Sequence, residues 1–255
     1  MSSSQVAASD LQIAGLVPLS TVDWPGRLAA TVFCQGCPWS CTYCHNTAIL
    51  DPTTPGAVPF SALEELLARR SGLLDAVVFS GGEATSQHAL IPAVSRVREA
   101  GFAVGLHTGG AYPSRLRALL GLDREDRPRT APLVDWVGFD VKAAPGGYEG
   151  LVGRSGAWAK AQQSLRMLHR SGIAHELRMT LTPALLGQVG AVIDLIAELG
   201  GDALVLQRAR ADGTGAAFAA VLARIPEWPE RFDRATSRAR RRGDRRGVAV
   251  TVRTG

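Results

Sequence analysis

Four cysteines, Cys34, Cys37, Cys41 and Cys44, fall within eleven residues, and the chain has no others. A disulfide framework would spread its cysteines to close long loops, because short loops constrain the unfolded chain little. A tight group of thiols reads instead as a metal or redox site. The spacing Cys37-x3-Cys41-x2-Cys44 puts three thiolates on one short loop. Three such ligands can take three corners of a cubane iron–sulfur cluster and leave one iron open to a substrate or cofactor. Cys34 and Cys37 also form a Cys-x-x-Cys pair, so a compact four-cysteine zinc site is a second possibility. His45 and Asn46 follow the last cysteine directly.

Such a loop needs a scaffold, and the rest of the chain reads as α/β. Short apolar runs of β type occur at residues 28–33, 76–80, 103–107, 136–140, 175–181 and 203–207, with a late run at 248–252. Between them lie helical patterns at 61–70, 90–100, 113–122, 157–171 and 188–199, several of which stop at a glycine. Alternation of this kind predicts a parallel sheet with crossover helices. Six strands in about 180 residues favour a partial barrel or an open sheet over a closed eight-stranded one. Ligands collect at the C-terminal ends of such strands. There the sequence places the cysteine loop, Ser80-Gly-Gly-Glu83, His107-Thr-Gly-Gly110, Asp140-Val-Lys142, and Arg178 with Thr180.

Composition sets the outer bounds. The 255 residues are 46% hydrophobic and 20% charged, enough for a sizeable core. No apolar run reaches the ~18–20 residues that span a bilayer. The N-terminus lacks the basic and apolar regions of a secretory signal, so a cytoplasmic protein with no membrane partner is expected. The formal net charge is +5, yet nine arginines face only two aspartates between residues 231 and 255. Such a run can meet an acidic partner, but it is more often a solvated helix face, and nucleic-acid binding is not expected. Lys142 and Lys160 are the only lysines in a chain that otherwise uses arginine.

The cysteine spacing with His45-Asn46 resembles the signature of the radical S-adenosylmethionine (radical SAM) superfamily. The preceding Ser20-Thr-Val-Asp-Trp-Pro-Gly-Arg27 resembles the lead-in of glycyl-radical-enzyme activases. Among them the chain is most similar to those that serve anaerobic ribonucleoside-triphosphate reductase. The resemblance covers about residues 15–207. It implies a partial (β/α)6 TIM-like barrel over residues 15–210, an N-terminal extension at 1–14 and an Arg-rich helix/strand extension at 211–255.

It also implies a 4Fe–4S cluster on Cys37, Cys41 and Cys44, with SAM chelating the open iron. Cys34 lies outside the pattern and reads as a small buried residue. Tyr43 is expected near the adenine, and His45 and Asn46 are expected to shape the loop. Gly81, Gly82 and Glu83 match the segment that receives the methionine amino group. Asp140 and Lys142 match an Asp-x-Lys pair that meets SAM. In one activase type that pair lies beside a monovalent cation. Thr108 occupies the threonine of the cation pattern, whereas His107 stands where the pattern has Asp. Arg178, Thr180 and Gln207 match positions lining the cofactor pocket.

The implied function is reductive cleavage of SAM to a 5′-deoxyadenosyl radical, which takes a hydrogen atom from a glycine of a partner glycyl radical enzyme. Flavodoxin or ferredoxin would supply the electron. Two alternatives remain open on the sequence: a radical SAM enzyme for a small molecule, resembling 7-carboxy-7-deazaguanine synthase, and a zinc-stabilised nucleic-acid- or protein-binding module.

Overall fold

The computed structural model describes residues 6–254. Eight strands form one sheet in the order of the chain: β1 (Ile13–Ser20), β2 (Ala29–Cys34), β3 (Ala76–Gly81), β4 (Ala103–Thr108), β5 (Trp136–Asp140), β6 (Ala174–Leu181), β7 (Ala203–Arg208) and β8 (Ala249–Arg253). From β2 to β8 every pair is parallel, while β1 runs antiparallel to β2. The order does not return from β8 to β1, so the sheet is not a closed barrel. All six strands expected of a partial barrel are present, β8 occupies the late apolar run, and β1 is an addition.

The crossovers are α1 (Phe60–Arg69), α2 (Leu90–Glu99), α3 (Pro113–Leu119), the short α4 (Tyr148–Val152) with α5 (Ala157–Ser171), α6 (Val189–Glu198), and α7 (Ala216–Ala223) with α8 (Trp228–Arg246). Their apolar stripes bury one face of the sheet, where Val77, Phe79, Val104, Leu106, Val137, Phe139, Leu204 and Leu206 join the helices' leucines in the main core. Each such side chain removed from water contributes about 1.5–3 kcal/mol.

Strand alternation turns the intervening residues to the opposite, inner face. At the start of the strands that face is sealed by Trp24, Ala29, Ala76, Val78 and Trp136. The rings of Trp24 and Trp136 stack with centroids 5.4 Å apart. Gly105 admits the stack, since a Cβ there would lie 2.9 Å from the Trp24 ring. Toward the strand ends the same face turns polar, through Ser80, His107, Asp140, Arg178, Thr180 and Gln207. Apolar plug below and polar residues above leave the chemistry at the C-terminal ends.

The C-terminal segment is built into this sheet. Strand β8 pairs with β7 over Ala203–Gln207, and Phe232 of α8 is fully buried. Of the arginines on α8, Arg242 and Arg246 pair with Asp194 of α6. Arg234, Arg238, Arg241 and Arg245 lie on the exposed face.

Candidate functional site

The cysteine loop leaves β2 at Cys34, whose side chain is wholly buried in the core. Burial, with the nearby Glu83 carboxylate, pushes the Cys34 thiol up to about 12. Cys37, Cys41 and Cys44 lie beyond it and are all partly exposed. Their loop is held by its backbone: Gly36 N–H donates to Ile49 O at 2.8 Å, Cys37 N–H to Leu50 O at 3.0 Å, and Ser40 N–H to Val152 O at 2.9 Å. Trp39 packs edge-on to Tyr148 and occupies the space that a Cβ at Gly109 would need.

The far end of the loop rests on the segment after β7. His45 Nδ1 lies 2.7 Å from Asp212 O, and the Thr47 hydroxyl donates to Gly213 O. His45 is thus tied to the segment after β7. Tyr43 is buried against Phe218 of α7, and its hydroxyl has no hydrogen-bond partner among the described residues.

The cysteine loop and the Gly-Gly-Glu segment, forty residues apart in sequence, are joined directly. Gly82 N–H donates to Cys34 O at 3.0 Å, Glu83 N–H to Gly36 O at 2.9 Å, and Asn46 Nδ2 to Gly81 O at 3.1 Å. The glycines are needed for this approach, since a Cβ at Gly81 or Gly82 would overlap the backbone of Cys34 or Gly36.

Glu83 turns inward instead of toward an open pocket. Its carboxylate accepts from the hydroxyls of Thr85 and Thr108 and from the N–H groups of Thr85 and Gly109. Burial still pushes its carboxyl above the ordinary range, against those hydrogen bonds. The ammonium contact expected of Glu83 thus has to compete with four internal donors.

At the ends of β5 and β6, Asp140 and Arg178 are register partners. Asp140 Oδ2 accepts from Lys142 Nζ at 3.0 Å, and Oδ1 accepts from Arg178 Nε at 2.9 Å. Burial alone would raise the Asp140 carboxyl, but the two cations outweigh it and hold it well below the usual range. Burial likewise disfavours the Lys142 ammonium, and Asp140 reverses this and raises its pKa. Arg178 Nη1 lies 3.0 Å from His107 Nε2, and Gly138 leaves room for both side chains.

His107 Nε2 is also 2.7 Å from Asp23 O, while Nδ1 is 3.2 Å from the Ser80 hydroxyl. A carbonyl only accepts and a guanidinium only donates, so the Asp23 and Arg178 contacts ask opposite tautomers of Nε2. Only one of them is a hydrogen bond in either tautomer. Burial and the Arg178 charge lower the imidazole from 6.5 to about 4, keeping it neutral near pH 7. Thr180 and Gln207, paired across β6 and β7, continue the inner face.

These residues fit an iron–sulfur cluster with an attached polar ligand. Among the described residues no three His, Cys, Asp or Glu side chains converge as one metal ion would require. A cubane presents separate corners and does not demand that convergence. Burial raises the Cys41 thiol while the Lys142 ammonium lowers it, which places a cation beside the loop. The unpartnered Tyr43 hydroxyl feels the same ammonium.

The monovalent cation does not fit. Each Asp140 oxygen already faces a cation, Lys142 or Arg178, and His107 is neutral. The Thr108 hydroxyl donates to Glu83 and accepts from Gly110 N–H.

The expected residues divide into groups. Cys37, Cys41, Cys44, Lys142, Asp140 and Arg178 come together around the loop and strand ends. Gly81, Gly82, Glu83, Thr108, His45 and Tyr43 support them. Asp23, Trp39, Gly138 and Phe218 were missed as supports. Asp23 carried a signal, because it lies inside the lead-in motif. The others make contacts set only by tertiary packing.

The Radical SAM superfamily model matches residues 31–199. A Methanocaldococcus jannaschii protein named for glycyl-radical enzyme activation is 33% identical over 134 residues, covering 51% of this chain and 50% of its own length. A similarly named Haemophilus influenzae protein is 31% identical over 100 residues, 38% of each chain. The matched stretch thus spans half or less of these curated relatives. In fold the chain is similar to QueE from Escherichia coli, with a TM-score of 0.51 at 17% identity, covering 96% of this chain and 94% of that one. It is also similar to Streptococcus suis SuiB bound to S-adenosylmethionine, with a TM-score of 0.58 at 13% identity over 87% of this chain and 48% of that one.

Proposed function

Because the chain belongs to the radical SAM superfamily, we propose that it activates a glycyl radical enzyme by removing a hydrogen atom from one of that partner's glycines. The partner we favour is anaerobic ribonucleoside-triphosphate reductase, and the electron donor is a flavodoxin or ferredoxin. A 4Fe–4S cluster and SAM, when bound, supply the electron transfer, the reductive cleavage and the hydrogen-atom abstraction.

The chain's own residues bind and orient. Cys37, Cys41 and Cys44 hold the cluster on a loop whose backbone is tied at Gly36, Cys37 and Ser40. Lys142, held by Asp140, offers its ammonium to the carboxylate of SAM through a charge-assisted hydrogen bond. The backbone of Gly81 and Gly82 lies against the loop, where it would border the methionine end. Thr180 and Gln207 extend the polar wall toward the adenosine. The Trp24–Trp136 plug closes the other end of the inner face to water. A cytoplasmic setting accords with such chemistry, and no helix among the described residues is long and apolar enough to cross a membrane.

The observation that carries the reading is the direct attachment of the three-cysteine loop to the Gly-Gly-Glu backbone beside the Lys142–Asp140 pair. Its support as an activase comes from the names of the two relatives. The test is to reconstitute the chain anaerobically and mix it with SAM, a reductant and purified anaerobic ribonucleoside-triphosphate reductase. A glycyl radical in the electron paramagnetic resonance spectrum is expected. SAM cleavage with no radical on the reductase would remove that partner.

A further inference from the structure

Asp140 is a half-buried carboxylate facing two cations. Arg178 reaches it from β6 and Lys142 from two residues downstream, and each occupies a different oxygen. The Arg178 side chain is nearly buried, and its remaining nitrogens lie 3.0 Å from His107 Nε2 and 3.4 Å from Gly138 O. Gly138 is fitted to this arrangement, since a Cβ would fall 2.8 Å from Arg178 Nη1 and 2.9 Å from the His107 ring. The neighbourhood therefore holds two positive side chains, the Asp140 carboxylate between them and a neutral imidazole. On the far side of His107 lies Asp23, whose Oδ2 accepts from the Thr31 hydroxyl. A further cation beside Asp140 would add repulsion from Lys142 and Arg178, which already face its two oxygens.

We propose that the Arg178 guanidinium takes the place of a bound monovalent cation at the end of β5 and β6. It is a positioning residue: it supplies the counter-charge for Asp140, and Asp140 in turn aims the Lys142 ammonium. His107, neutral where a carboxylate would attract a metal ion, leaves room for the guanidinium. The inference concerns the strand ends and stands whatever the partner enzyme is.

The test compares the reconstituted holoenzyme in potassium, sodium and choline chloride at constant ionic strength, reading melting temperature and SAM affinity. Both should agree between the three salts, affinity within about twofold. A saturable rise in either with potassium or sodium, absent in choline, would overturn the proposal. A second arm uses the double variant His107→Asp/Arg178→Ala, which exchanges the guanidinium for a carboxylate and open space. This variant should acquire an alkali-ion-dependent melting temperature. If it folds and gains no such dependence, Arg178 does not replace a cation. If it does not fold, the wild-type comparison alone decides.

Discussion

Lys142 carries its charge where the chain could most easily have used arginine, and its surroundings explain the choice. The Nζ atom sits 3.0 Å from Asp140 in a half-buried position, close enough to Cys41 and Tyr43 to influence both. A compact ammonium fits such a point, whereas a guanidinium fork does not. Lys142→Ala should keep the cluster, whose thiolates are on another loop, but weaken SAM binding. A lost charge-assisted hydrogen bond of ~1.5–3 kcal/mol corresponds to roughly ten- to a hundredfold in dissociation constant. Lys142→Arg should recover part of it. Lys160→Ala, on α5, is the control and should leave affinity unchanged in the same titration. Equal affinities in the two alanine variants would take Lys142 out of the pocket.

At the scale of elements, the contact between the Gly-Gly segment and the cysteine loop is the joint on which the site depends. Gly82→Ala would drive a methyl group into the Gly36 carbonyl. Overpacking of this kind costs about 1–3 kcal/mol, and here the strain falls on the loop itself. The variant should show a lower melting temperature and a reduced yield of reconstituted cluster, measured by iron content.

The tail gives a second test. Its Arg-rich run suggests an appendage, but removing residues 235–255 would strip β8 from β7 and expose the core beneath Val248. Val248 alone accounts for about 1.5–3 kcal/mol. The melting temperature should fall by at least roughly 5 °C, and an unchanged value would show the segment to be dispensable.

These two cases also show what was legible in the sequence. The six parallel strands were readable because each is a short apolar run between a helical pattern and polar or glycine-rich residues. Trp136–Asp140 and the helix Ala157–Ser171 match at both ends. Strand β1 was not readable, because Gly15 and Pro18 interrupt it and its register slips twice against β2. The cysteine loop was readable from spacing alone. The inward turn of Glu83 and the burial of Tyr43 under Phe218 depend on long-range contacts that no local pattern encodes.

For the molecule as a whole, the partly buried polar cluster on the inner face makes stability depend on pH. The imidazole of His107 is held near 4 in the folded chain against 6.5 unperturbed. Below pH 6.5 the unfolded chain gains a proton that the folded chain refuses until about pH 4. Stability should therefore drop by about 3 kcal/mol as pH falls through that window, with no contribution from this group above it. The depressed Asp140 carboxyl acts in the same sense at lower pH, losing its contribution as pH falls below the ordinary carboxylate value. Denaturant titrations from pH 8 to 4 should show the slope, and His107→Gln should flatten it between 6.5 and 4.

In the proposed function three thiolates hold a cluster while the fourth cysteine, Cys34, serves the core. The most direct test is iron and sulfide analysis of anaerobically reconstituted wild type, Cys34→Ala and Cys41→Ala. Wild type and Cys34→Ala should each hold about four iron and four sulfide per chain, the content of one cubane, and Cys41→Ala should hold almost none. One zinc per chain, or a Cys34→Ala variant as empty as Cys41→Ala, would contradict it.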